Sequence, residues 1–571
     1  MAKTPKTAQP ATGTRAWESK WLGVALWEWA GLVLIVAVGA WLRFSNLGLI
    51  EFKGDEATAA ELALRFVRDG VLPKAGLMSS VGVTNPPMFI YLLIPMFAIS
   101  SDPQVITCLL VLQGLAAVVL CWYIGRKYIG PVAGLTAAAL FSFSPWAVFY
   151  SRKIWAIDVE PLWMVLLLWS VLSLVIDKKA KAIFWVALLC LCLCQNHYAG
   201  CALTGAIVGM LVILRPRCDW RWAAAGVAIS VVAGIPYLQF QQENNWKDFQ
   251  QILHTVGGQK FQIPPGITIH PMSGHRLPRQ EHWVHALAIM NAGEPEDVLG
   301  LSTSSTVDPY KIWQKKIGGS QPYFDENLTW GDWLLVLERL LYVVGVIYLS
   351  VRAVRAIRRT KAFPYFEVEE DAEARIGLIL VAWVAGTLAV FYVTKLWTLL
   401  LYYVILYPTH FWVLGILFRD ALRKAKAVGV RSLIVGGLIL ILAGNLVYLQ
   451  DMYRFLTVHG GAFGTYGSGL GYKTQAARFL LENTDVKQLQ ADQRLGQMDQ
   501  FGRLEPPQED LPYLLRLESH RVARSNDAIP TNTVVVLVDD NRSYFTPEQW
   551  GQLTSMPQTN FGPIRLFFAK R

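Results

Sequence analysis

Charge is what this chain has least of. Only 16% of its 571 residues are Asp, Glu, Lys or Arg, against about 25% in an ordinary soluble domain. Cysteine is scarce too. Cys108, Cys121, Cys190, Cys192, Cys194 and Cys201 lie inside apolar runs, and Cys218 follows Arg217. None falls in a long polar stretch, so no disulfide framework is implied. The alternating Cys190, Cys192 and Cys194 lack CxxC spacing and read as apolar filler rather than metal ligands. The polar first 20 residues carry Lys3, Lys6, Arg15 and Lys20, and the apolar run behind them has no small-residue cleavage site. That pattern predicts an anchor rather than a cleaved signal. The glycine-rich stretch Gly460–Gly471 has no Lys-Ser/Thr ending and reads as a flexible linker, not a phosphate loop. No internal repeat is visible, which argues against a duplicated transporter. A soluble enzyme, a disordered chain and a disulfide scaffold are excluded.

What the chain has is apolar length. Hydrophobic residues make up 53%, with 22 Trp, 21 Tyr and 26 Phe, a loading that suits two membrane interfaces. Runs of roughly 17–22 residues predict eleven spans. They lie near 23–43, 104–125, 130–150, 159–176, 181–197, 199–214, 222–240, 331–351, 375–394, 398–418 and 431–450. The run 86–101 opens with Pro86-Pro87 and is short, so it reads as an interfacial or re-entrant helix. With the N-terminus inside, the short inner connections carry 18 Lys and Arg and the short outer ones 3, as the positive-inside rule requires. The net charge of +10 is then mostly a topology signal, and nucleic acid is not expected as a partner. The predicted organisation is a cytoplasmic tail at 1–22, a membrane domain at 23–450 with outer loops 44–103 and 241–330, and an extracytoplasmic domain at 451–571. The last holds a helical pattern, YKTQAARFLLEN, and a strand pattern, TVVVLV, so a small α/β unit is expected.

Four outer-face stretches carry polar chemistry. In EFKGDEATAAELALRFVRDG (51–70), Gly54 breaks the chain and Asp55 is placed to cap a helix. The apolar stripe of that helix, Ala59, Leu62, Ala63, Phe66 and Val67, suits a membrane surface. The other reading of Asp55 is a carboxylate held at the boundary as a base; a helix N-terminus, which favours the ionised form, suits both. In YSRKIWAIDVEP (150–161), Asp158 arrives at the same surface with Arg152 and Lys153, either as a cap before Glu160-Pro161 or as part of a site for a phosphorylated lipid. Gln195-Asn196-His197-Tyr198 interrupts two spans, as a turn or as a ligand-facing step. Lys395 and Tyr402-Tyr403 open a span that contains Tyr407-Pro408, as anchors or as site residues. The histidines of the long loop, His254, His270, His275, His282 and His285, include an i, i+3 pair compatible with metal binding or with plain solvent exposure.

Order and spacing of these residues, across roughly 23–450, resemble the GT-C-type membrane glycosyltransferases. The nearest groups are the bacterial protein O-mannosyltransferase-like proteins and the aminoarabinose lipid A transferases. The resemblance rests on Asp55-Glu56 in the first outer loop, Pro86-Pro87-Met88-Phe89, Ser144-Pro145 with Ser151-Arg152 and Asp158, and Gln195-Asn196-His197-Tyr198. The aminoarabinose transferases have basic residues where this chain has Thr58 and Asn85, so Lys74, Arg65, Arg152 or Lys395 would have to supply that charge. The Trp-Trp-Asp-Tyr-Gly motif of oligosaccharyltransferases is absent.

The resemblance implies a mainly α, GT-C-type helical bundle in a bacterial inner membrane, with its site on the periplasmic side. It implies inverting transfer of a sugar from a polyprenyl-phosphate donor to a hydroxyl of a glycan, lipid or protein acceptor. Asp55 would act as base, with Glu56 and Asp158 beside it. Arg152, Lys153, Lys74, His197, Lys395, Tyr402 and Tyr403 would meet the donor. The acids spell out no metal motif, and a divalent cation such as Mg or Mn is compatible but not required. The competing readings are a lipid-linked glycan transporter or flippase, and a noncatalytic scaffold. A transporter would carry charged residues at the membrane midplane, whereas these acids cluster at one face.

Overall fold

The computed structural model describes residues 20–21, 23–79, 83–256, 330–360, 372–394, 400–459, 468–498, 504–505, 509–522, 529–530, 532–539 and 547–570. A hairpin of β1 (Lys20–Trp21) and β2 (Val24–Ala25) leads into α1 (Leu26–Phe44). The first loop carries α2 (Gly54–Asp69) and α3 (Met88–Ile99). Then come α4 (Pro103–Tyr128), α5 (Pro131–Phe143), α6 (Pro145–Tyr150), α7 (Glu160–Val175), α8 (Ile183–Asn196), α9 (Ala199–Leu214), α10 (Trp220–Glu243) and α11 (Lys247–Val256). The remaining bundle helices are α12 (Trp330–Thr360), α13 (Ala372–Thr394), α14 (Thr409–Lys424) and α15 (Val428–His459).

Within the described residues all eleven predicted spans fall largely on helix, but not all are continuous. Among the described residues seven helical segments, on α1, α4, α7, α10, α12, α13 and α15, are long and apolar enough to cross a membrane. The predicted span at 130–150 breaks between α5 and α6, and the one at 398–418 splits into a 3₁₀ turn (Leu400–Leu406) and α14. Both breaks sit at a proline, Pro145 and Pro408, which removes a backbone donor and clashes with the preceding turn. The breaks pack together: the Phe141 ring stacks on Phe411 at 4.8 Å and tilts against Tyr407 at 5.7 Å. Carbonyls orphaned at the end of α5 are taken up by buried Arg43 of α1, which donates to Ser142 O at 2.9 Å and Phe141 O at 3.3 Å. Tight packing elsewhere uses small residues; a Cβ on Gly134 of α5 would fall 2.7 Å from Arg126 N of α4. The short run after Pro86-Pro87 is the 12-residue α3, about 18 Å long and well under a bilayer core of roughly 30 Å.

The predicted α/β unit is present. It comprises α16 (Leu470–Asn483), α17 (Val486–Ala491), β3 (Leu495–Met498), β4 (Leu504–Glu505), α18 (Asp510–Glu518), β5 (Thr533–Asp539), α19 (Pro547–Thr554), β6 (Gln558–Phe561) and β7 (Ile564–Lys570). The sheet order is β4-β3-β5-β7-β6, with β3 and β5 parallel and the other pairs antiparallel. Its core does not stand alone. Ile50, Phe52, Ala60 and Leu64 of the first loop and Phe89 and Leu93 of α3 are buried in one cluster with Ala476, Leu480, Leu511 and Leu514.

This sharing corrects two expectations. The buried face of α2 runs through Ala57, Ala60 and Leu64 towards α3 and the C-terminal unit, while Val67 of the predicted membrane stripe is exposed. The predicted linker at 460–471 is docked over Ser468–Gly471. Leu470 N–H donates to Ile50 O at 2.8 Å, and a Cβ on Gly469 would fall 2.7 Å from Gly48 O. Residues 460–467 lie outside the described residues.

Candidate active site

The strip Ile50–Lys53 is extended and enters α2 at Gly54. Side chains two apart on an extended strip share a face, so Glu51 and Lys53 point the same way. Buried Glu51 takes Lys53 Nζ at 2.5 Å on one oxygen and Lys153 Nζ on the other. Glu56 also meets Lys153, at 3.2 Å, and its second oxygen accepts the Lys53 N–H at 2.9 Å. That last bond closes the helix start. The N-cap position is therefore Lys53, not Asp55, and Asp55 stands in the first turn with its side chain exposed. The expected cap assignment fails by two residues because the longer Glu56 reaches back to the Lys53 amide.

Electrostatics follow from this packing. Burial would raise the Glu51 carboxyl, but Lys153 and Lys53 outweigh it and hold it at about 2. Burial would lower Lys153; Glu51, Glu56 and then Asp158 keep it charged well above its ordinary range. Asp55 is exposed, yet enough protein surrounds it that desolvation, and next the Glu56 charge, pushes its carboxyl above the usual range. Four carboxylates thus share one region with two lysines.

Asp158 comes from a 3₁₀ turn, Ala156–Val159, that precedes α7. It does not cap α7, whose N-cap position is Val159. Asp158 is 5% exposed, and both carboxyl oxygens lack a hydrogen-bond partner among the described residues. The preceding turn is rigid: Lys153 lies over the Trp155 ring at 4.0 Å, and buried Arg152 donates to Asn46 O at 2.7 Å and to the Tyr453 hydroxyl.

Asn196 brings the next stretch to this turn by donating to Ala156 O at 2.7 Å and Glu160 Oε1 at 3.0 Å. His197 then packs on Tyr402, ring centroids 4.7 Å apart, and accepts the Ala199 N–H on Nδ1 at 3.2 Å. Tyr403 is fully buried. Lys74 is exposed and paired with Glu243 of α10 at 2.5 Å, away from the lysine–carboxylate cluster's own pairings. Lys395 and the histidines from His270 to His285 lie outside the described residues, as does the side chain of His254. Among the described residues no three His, Cys, Asp or Glu side chains are arranged to hold a metal ion.

Sequence reasoning missed Glu51 and Lys53, and named Asn196 and Glu160 without the bond between them. For the first pair a signal existed: opposite charges two apart in the short strip before Gly54. For the bond between Asn196 and Glu160 none did, because it spans 36 residues and two helices.

No protein-family model and no curated protein matches the chain. Among solved structures the chain is similar to ArnT from Cupriavidus metallidurans bound to undecaprenyl phosphate. That match has 14% identity, TM-score 0.48 and coverage of 95% of this chain and 98% of that one. It is also similar to the archaeal oligosaccharyltransferase AglB from Archaeoglobus fulgidus in complex with an inhibitory peptide and a dolichol-phosphate. Here the identity is 12%, the TM-score 0.43, and the coverage 96% of this chain and 74% of that one.

Proposed function

We propose that the chain is a membrane glycosyltransferase that moves a sugar from a polyprenyl-phosphate donor to an acceptor hydroxyl, with Asp55 as general base. The observation that carries this reading is one exposed carboxylate standing on a rigid, buried frame of Glu51, Lys153 and Glu56. A base needs reach and a fixed position, and a pKa moved up towards the working pH; Asp55 has exposure, a first-turn position and an upward shift. The resemblance of the Asp55-Glu56 and Ser144-to-Asp158 patterns to GT-C transferases supports the same assignment.

Asp55 takes the proton of the acceptor hydroxyl, whose oxygen attacks the anomeric carbon. The bond from that carbon to the phosphate oxygen breaks, and the electron pair leaves on the polyprenyl phosphate. Negative charge grows on that phosphate, so cations and helix N-termini nearby favour the transition state. Lys53 is the partly exposed cation closest in sequence to the N-terminus of α2. Arg152 and Lys153 are buried and act as framework, with Asp158 against the Lys153 side. Buried His197 backs the partly exposed Tyr402 ring, which is suited to a sugar face.

The test is transfer and donor hydrolysis by purified protein over a panel of radiolabelled polyprenyl-phosphate sugars, with wild type and Asp55→Asn. Sugar transfer that vanishes in a folded, lipid-binding Asp55→Asn supports the reading. Lipid binding without consumption of any donor points instead to transport. Unchanged turnover in Asp55→Asn removes Asp55 as the base.

A further inference from the structure

The C-terminal unit grips the strip that leads into α2, and one of its holds falls on the Phe52–Lys53 peptide. Lys473 of α16 is 4% exposed, pairs with buried Asp510 of α18, and donates to Phe52 O at 2.8 Å. The Phe52 carbonyl and the Lys53 N–H belong to the same planar peptide unit. Its other end, the Lys53 N–H, donates to Glu56 Oε2 at 2.9 Å. A cation therefore holds the oxygen end of this peptide and a carboxylate holds the hydrogen end, each facing the matching end of the peptide dipole. Bonds in such a chain polarise one another. Neighbouring contacts keep the strip in register: Leu470 N–H on Ile50 O, a bridge between Glu51 and Gly469, and the Phe52 ring 5.4 Å from Tyr513. Burying a lysine is costly even when it is paired, and packing alone would be served by an apolar pair in place of Lys473 and Asp510.

We propose that Lys473 is a positioning residue for Asp55: it fixes the Phe52–Lys53 peptide, which holds Glu56, which sets the first turn of α2 and the charge beside the base. The C-terminal unit then acts on catalysis directly, whatever else it binds. This rests on the glycosyltransferase reading.

The experiment compares full-length wild type, Lys473→Met (made together with Asp510→Asn, so that no buried carboxylate loses its partner) and Lys473→Arg in detergent, reading kcat, donor KM, the pH profile and amide exchange over residues 50–57. For Lys473→Met we expect kcat to fall about 10- to 100-fold, as for a misplaced catalytic group, with donor KM within about 2-fold, as for an interaction felt in the transition state. The acid limb moves to lower pH because Glu56 is no longer held beside Asp55. Exchange rises at Lys53 and its neighbours while the C-terminal sheet stays protected. Lys473→Arg recovers part of kcat. An unchanged kcat and pH profile in folded Lys473→Met overturns the proposal, as does exchange that rises across the whole C-terminal unit. If wild type consumes no donor, the enzyme reading fails, and exchange at 50–57 in the Met variant still decides whether the clamp exists.

Discussion

The two ends of the helical bundle hold buried charge in opposite ways. At the end with the basic loops, Arg419 grips Glu373 with two bonds of 3.0 Å and Asp420 at 2.8 Å, and also donates to Ile129 O at 2.7 Å. Arg352 meets Glu373 at 2.7 Å, and Tyr348 donates to Asp420 at 2.9 Å. Both acids there are matched several times over. At the end with α2, acids outnumber lysines: Glu51 and Glu56 share Lys53 and Lys153, Asp55 faces out, and the Asp158 carboxyl oxygens have no hydrogen-bond partner among the described residues. The first arrangement closes on itself and fixes helices. The second retains acidic groups that packing does not explain, which is what a reactive site requires.

Single substitutions should separate these two ends. The largest effect is expected for Asp55→Asn: loss of a general base lowers turnover by about 10³-fold, roughly 4 kcal/mol in the barrier, with melting temperature nearly unchanged. Arg419→Met should do the reverse. It removes one of several partners of Glu373 and Asp420 and the donor to Ile129 O, so unfolding in detergent becomes easier by about 2 kcal/mol, while turnover per folded molecule stays within about 2-fold. Equal losses of activity and stability in both variants would erase the distinction.

Titration sharpens it further. Glu51 sits at about 2 when folded, below its ordinary 4.5, so it stabilises the protein above about pH 4.5 and that contribution disappears as pH falls towards 2. The stability gap between wild type and Glu51→Gln should therefore be full at pH 7 and shrink across that window in thermal unfolding. Asp55 moves the other way. Its folded value lies above the ordinary 3.8, so kcat/KM should rise with pH through a midpoint above 3.8. Glu56→Gln should bring that midpoint down, since it removes the second cause of the shift. A profile already flat at pH 3.8 would speak against Asp55 as base.

Much of the bundle was legible because apolar runs of span length admit few alternatives. The two breaks were visible as Pro145 and Pro408, yet hydropathy averages straight through a proline. Around Asp55 the sequence made the residue types legible; which of them pair with which it did not. Asp55 looked like the cap because aspartate is a strong N-cap residue, and only the fold shows Glu56 reaching the Lys53 amide instead. Lys153 read as a phosphate ligand because it is basic and at the boundary, whereas Glu51 and Glu56 already enclose it. The bond from Lys473 to Phe52 joins residues 421 apart, and no local pattern encodes a contact at that range.

Lys74 gives the smallest expected effect and the finest comparison. Its ammonium ties the first loop to the end of α10 through Glu243 at 2.5 Å, with both side chains about half exposed, 47% and 57%. Such a pair contributes about 0–1 kcal/mol and is screened by salt. If that tie is its whole role, Lys74→Ala loses less than about 0.5 kcal/mol and leaves donor KM within about 2-fold. A phosphate ligand behaves otherwise: its removal raises donor KM about 10-fold, the cost of roughly 1.4 kcal/mol in binding, with kcat held. Glu243→Ala separates the two further. It frees the Lys74 ammonium, so donor KM should fall if that ammonium meets phosphate and stay fixed if it only fastens the loop. The pairing seen here predicts the second result, because an exposed lysine held by a carboxylate is a fastening until a stronger anion displaces it.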